Sequence, residues 1–185
     1  MKRITLLLVF VLLAFFLAGC GEGKNNVVFN EVKIDTHAGR RSVNRETVPL
    51  KEFRGIYAFD LSAFPANCVF SLEYGIDAET GTTDQEKLEN GVIRFSDEET
   101  EKTFYVFLSE TTYLSEYGFP SDMSERPSVI ASQEVHLFHL DLFGKDQQTH
   151  ARLSLDGYRL SFYFSAYSDR EVVDLLEAFI ETQAK

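Results

Sequence analysis

Four histidines, two cysteines and several closely spaced carboxylates are the side chains of this sequence whose types could bind a metal ion or move a proton. His136 and His139 stand three apart, which on one face of a helix would bring two imidazoles to one ion. The surrounding stretch, 135–143, alternates as a strand does, and a strand sends odd and even positions to opposite faces. The pair is thereby split. His139 and Asp141 share a face, with His150 or Arg152 of the next strand expected nearby, which makes a polar patch rather than the three or four converging ligands that zinc takes. His37 lies beside a group of arginines and adds no partner. Among the acids, Glu98 with Glu99 and Asp97 with Glu101 crowd a run that reads as a turn. General acid and base work by two carboxyls needs an apolar pocket that raises one pKa above the other, and a turn provides none. There is no G-x-S-x-G, no phosphate-cradling glycine loop, no H-E-x-x-H and no EF-hand loop. No catalytic, metal-ligating or cofactor-binding residue is assigned.

The two cysteines differ in setting. Cys68 opens a run, 68–76, in which every second residue is apolar or aromatic, so it is expected on a buried strand face as a small hydrophobe. No histidine or cation stands near it to make a reactive thiolate. Cys20 ends a different pattern: Lys2 and Arg3, then an apolar stretch 4–18 broken only by Thr5, then Leu17-Ala18-Gly19-Cys20. That is the layout of an export signal, and the stretch falls short of the ~20 apolar residues that span a bilayer. Leu17-Ala18-Gly19-Cys20 resembles the lipobox of bacterial lipoproteins. The resemblance implies that residues 1–19 are removed and that Cys20 receives a diacylglyceryl group. It also implies that the chain stays on the cell membrane at its extracytoplasmic face, held by lipid. One acyl chain anchors only marginally, at about 0.8 kcal/mol per buried CH₂, whereas two or three on one cysteine give a lasting tether. The small, polar residues 20–26 then serve as a flexible spacer.

Loss of residues 1–19 leaves 166 residues, enough for one domain with a sizeable core, placed at 27–185. Lys2 and Arg3 leave with the signal, so the formal charge falls from −11 to −13. Such a surface repels nucleic acid and anionic headgroups. The densest basic group, Arg40, Arg41 and Arg45, reads as a solvated loop. With Cys20 committed to lipid, Cys68 has no disulfide partner within the chain.

The elements that would position these side chains are mostly strands. Residues 32–35, 55–61 and 68–76 are three candidates before position 80. Thr83-Asp84-Gln85-Glu86 has capping-box form with Asn90-Gly91 beyond it, and a short helix and one arm of an Asn-Gly hairpin are both open readings. Residues 92–95 and 103–108 flank the acidic tip 97–101. Tyr113, Tyr117 and Gly118 suit one or two helical turns with a glycine stop, followed by an irregular connection to Ser128. Residues 135–143, 151–155 and 158–164 are three more strands, the last two joined by Asp156-Gly157 as a two-residue hairpin turn. Finally, Ser168-Asp169-Arg170-Glu171 caps a helix whose apolar stripe is Val172, Leu175, Leu176, Phe179 and Ile180.

The expected fold is α+β, a twisted antiparallel sheet with the C-terminal amphipathic helix packed on one face. The ending 153–180 resembles the close of an uncharacterised domain of Gram-positive extracytoplasmic lipoproteins, and also that of the PsbP and Mog1-like sandwich. Neither resemblance carries an active site across. The function expected is that of a non-catalytic binding or interaction module tethered outside the cytoplasm, with an envelope protein or peptide as its partner. The alternative is a small hydrolase or metal-handling lipoprotein whose site is assembled from distant residues.

Overall fold

In a computed structural model of the chain, residues 30–36, 39–77, 79–111, 113–115, 124–142 and 146–184 are described. The expected signal, Cys20, His37 and Tyr117 lie outside them. Ten strands form one sheet: β1 (Asn30–Thr36), β2 (Gly39–Val48), β3 (Val69–Ile76), β4 (Thr83–Ser96), β5 (Thr103–Ser109), β6 (Leu114–Ser115), β7 (Ser124–Ile130), β8 (Gln133–Leu142), β9 (Asp146–Leu155) and β10 (Tyr158–Ser165). Their order is β6-β1-β2-β3-β4-β5-β10-β9-β8-β7. Every neighbouring pair is antiparallel. Two helices accompany the sheet, α1 (Leu50–Ile56) and α2 (Asp169–Gln183).

On the first face of the sheet the strands present Phe70 and Leu72, Ile93 and Phe95, Phe104 to Leu108 at alternate positions, Leu153, and Leu160, Phe162 and Phe164. α2 lies on them through Val172, Leu176, Phe179 and Ile180, all buried. Its start is a full capping box, in which Ser168 Oγ accepts from the Glu171 amide and Glu171 Oε2 accepts from the Ser168 amide. Its end is fastened by Gln183, whose side chain accepts from the Asp60 amide and donates to the Asp60 carbonyl, at 2.9 and 2.7 Å. Phe179 meets the rings of Phe59, Phe64 and Phe162.

The second face is also covered. Val43, Val92, Phe107 and Tyr163 form a second cluster there, and Ser71, Glu73, Asn90, His150 and Ser161 are buried. The cause is curvature. Tyr113, next to β6, lies over Arg152 of β9, so the β6-β1 end of the sheet arches back across β10 and β9.

Several expectations are corrected. Residues 55–61 are not a strand: α1 occupies Leu50–Ile56, and Tyr57, Phe59 and Leu61 alternate into the core as an unpaired connection. Residues 83–86 are strand rather than helix, but they are not the arm of an Asn-Gly hairpin: Asn90-Gly91 makes no turn and lies inside β4, with β3 as the antiparallel partner over this stretch. Arg40, Arg41 and Arg45 belong to β2 rather than to a loop. Leu114–Ser115 is a short strand within the expected helical turns. The irregular connection ends at β7, where Pro127 is tolerated because β7 is an edge. The Asp156-Gly157 turn forms as expected, with φ of 51° and 85°, and residues 98–101 of the acidic turn are exposed. Cys68 stands one residue before β3, half-buried against the main core, and burial pushes its thiol pKa up to about 11.

Candidate functional site

An opening lies where β4 and β5 part. β4 pairs with β5 only from Gly91 onward, while its earlier residues follow β3 through register shifts at Glu73/Tyr74 and Tyr74/Ile76. Residues 87–90 therefore peel away from the end of β5. A cleft of about 450 Å³ opens between them, walled by Tyr57 from the end of α1 and Tyr158 from the start of β10. Gly91 makes this possible. A Cβ there would sit 2.5 Å from the Tyr57 ring, so only glycine lets the ring lie flat on the strand. The Tyr57 ring packs on Phe53 at 5.0 Å and edge-on to Tyr158 at 5.5 Å. Burial above all, then the nearby Tyr158, Glu110 and Glu73, holds the Tyr57 hydroxyl protonated well beyond the usual phenol range.

Behind the cleft is a buried ion pair. Glu73 is fully buried, and Arg45 donates to its Oε1 through Nε at 2.9 Å and Nη2 at 2.5 Å. Asn90 Nδ2 donates to Glu73 Oε2 at 3.0 Å. A carboxylate only accepts, so this bond fixes the orientation of the Asn90 amide. Asn90 lines the cleft at 1 % exposure, and its Oδ1 has no hydrogen-bond partner among the described residues. A buried acceptor left in that state costs about 1–3 kcal/mol. Ser109, Glu110 and Thr111 close the opposite wall.

No protein family, no characterised protein and no solved structure matches this chain. What the cleft does must be read from its own chemistry.

A smaller hollow of about 140 Å³ lies on the second face, beside Tyr105, His150 and Tyr163. The His150 ring sits 4.2 Å from that of Tyr163, and burial, helped by the charge of Arg152, lowers its pKa to about 4. Arg152 is held between the Tyr113 and Phe138 rings.

The residues singled out from sequence are scattered. His136 and His139 do point to opposite faces. His136 Nδ1 lies 2.6 Å from Glu125 Oε1, and His139 Nδ1 lies 3.4 Å from Asp169 Oδ1 at the start of α2. His139 does not meet His150 or Arg152: the register sets His136 opposite Arg152 and Phe138 opposite His150, on the other face. The side chain of Asp141 lies outside the described residues. Asp97 accepts from the Glu99 amide and the Thr100 hydroxyl, the ordinary bonds of a turn, which lower its pKa. Among the described residues no three His, Cys, Asp or Glu side chains gather as a metal site. None of Tyr57, Asn90, Ser109, Glu110 and Tyr158 is a site candidate in the sequence reading. The one local sign was Asn90-Gly91, which imitates a hairpin turn.

Proposed function

We propose that the chain is a lipid-anchored extracytoplasmic binding module, without catalysis of its own, whose ligand enters the cleft between β4 and β5. The observation that carries the site is the cleft itself, opened where residues 87–90 leave the end of β5 and walled by the Tyr57 and Tyr158 rings. The cleft also falls within the ~300–1,000 Å³ usual for small-molecule sites. The sequence Leu17-Ala18-Gly19-Cys20 supports the anchor, and no helix among the described residues is long and apolar enough to cross a membrane. A hydrolase or metal-handling role would need His139 to join distant carboxylates, and among the described residues the carboxylate paired with it is Asp169 at the surface.

Thr111 is exposed on the rim, so Thr111→Trp should fill the cleft without touching the core. A mixture of amines, amino acids, sugars and dicarboxylates is followed by saturation-transfer NMR. At least one component should bind the wild type and lose its signal with the variant, at unchanged melting temperature. Binding that ignores the tryptophan, or no binding at all, removes the cleft as the site. For the anchor, Cys20→Ser should abolish detergent partitioning and leave the signal uncleaved by lipid-dependent processing, as read by intact mass. A serine variant that still carries lipid overturns the anchoring.

A further inference from the structure

We propose that the cleft receives an extended peptide segment of a partner protein, basic at its flanks and added as a strand to the open edge of β4; the proposal rests on the reading of this cleft as the binding site. β4 is twice as long as β5, fourteen residues against seven. β5 accompanies it only from Gly91 to Ser96, and β10, the next strand, begins at Tyr158 beside the end of β5. Residues 83–88 therefore have β3 on one side and, among the described residues, no strand on the other. That stretch is as long as an ordinary strand, commonly ~5–6 residues. Such an edge offers amide donors and carbonyl acceptors at strand spacing, which another extended backbone answers in full and a small solute leaves mostly to water. The added strand would follow the line that β5 leaves when it stops at Ser109, and that line runs into the cleft.

The two sides of the edge would sort the guest's alternate side chains. On the first face, Leu88 and Tyr158 are half-buried against the main core and stand with Ile56 as an apolar wall of the cleft. Ile56 is 39 % exposed, one of three large apolar side chains exposed among the described residues. On the second face, Lys87 and Glu89 are turned from the edge: both lie back over Gly75 of β3, where an added Cβ would come within 2.8 Å of each. Charge decides the flanks. A chain with a formal charge of −11 favours a segment with basic ends over an acidic one. It equally disfavours a second copy of the chain, which would bring the same charge to the same edge.

The test uses the full chain in detergent micelles with acetyl-Lys-Thr-Val-Thr-Phe-Thr-Lys-amide, which is apolar on one face and basic at its ends. Isothermal titration at low salt should show binding that Thr111→Trp abolishes and that weakens when both lysines of the peptide are glutamates. Two further versions, N-methylated at odd or at even positions, each lack the backbone donors of one edge, and at least one should lose binding. Hydrogen exchange within 83–88 should slow on binding, while that within 103–108, already between two strands, should not change. Ile56→Ser should weaken the peptide about tenfold, the worth of partly burying one apolar side chain. Val129→Ser, the same kind of change on the β7 edge, should have no effect. Binding that survives both N-methylations, ignores Ile56→Ser, prefers the acidic peptide or leaves exchange at 83–88 unchanged overturns the proposal, as does a chain that dimerises and excludes the peptide. If small solutes are displaced by Thr111→Trp while no peptide binds, the cleft stands as the site and only the strand addition fails. If nothing is displaced, both fail.

Discussion

Replacing Phe179 by alanine is expected to destabilise the fold by about 3–5 kcal/mol, the usual range for truncating a buried phenylalanine. Phe179 is 1 % exposed and is the ring through which α2 touches both the sheet, at Phe162, and the 57–64 connection, at Phe59 and Phe64. Its removal would leave a void with three aromatic walls that cannot close without moving the helix. The loss is a large part of the ~5–15 kcal/mol that holds a typical domain together. Denaturant unfolding of the chain lacking its first 26 residues would show it as a lowered midpoint at an unchanged slope. An unchanged midpoint would mean that α2 is not part of the core.

A second large effect is expected in mild acid. The pKa of His150 is about 4 in the fold against an ordinary 6.5, because burial and the neighbouring Arg152 both oppose its charge. Between these values the unfolded chain binds a proton that the folded chain refuses. Stability is therefore complete above pH 6.5 and falls as the pH drops toward 4, by ~3 kcal/mol in all at ~1.4 kcal/mol per unit. His150→Gln should flatten this part of the profile. Glu171 acts in a lower window. Lys102 and Ser168 hold its pKa near 2 instead of 4.5, so its contribution is lost only below about 4.5. Because its carboxylate is exposed, screening makes it the lesser term. Urea midpoints measured from pH 7.5 to 4 separate the two. A wild-type profile flat from 6.5 to 4.5 would contradict the burial of His150.

The legible parts of this fold are those with strong local signals. The capping box at Ser168, the stripe from Val172 to Ile180 and the Asp156-Gly157 turn are all in place, since each is decided by neighbours in sequence. The broad class was legible as well: a large antiparallel sheet with few helices. What local pattern could not show is long-range pairing. Residues 83–90 have little hydrophobic alternation, yet form a strand because β3 is beside them. The turn between β7 and β8 is made by Ala131 and Ser132 at φ of 46° and 66°, where glycine, asparagine or aspartate is the usual signal. The cleft was invisible for the same reason. It brings α1, β4, the end of β5 and the start of β10 together, and its deepest polar group, Asn90, is poised by Arg45 and Glu73 from two other strands.

The strand order has a kinetic side. β1 to β5 and β7 to β10 each run as meanders whose neighbours follow one another along the chain, whereas the β5–β10 and β1–β6 pairings join strands far apart in sequence. Closing such distant contacts expends chain entropy before any packing is gained. The two halves can each take shape early, but the seam that pairs Phe104 with Phe164 and Val106 with Phe162 must wait for both. Until that seam closes, α2 has no complete surface to rest on and the wall between Ser109 and Tyr158 does not exist. The cleft is thus completed late in the life of each molecule, only after the C-terminal strands have been delivered.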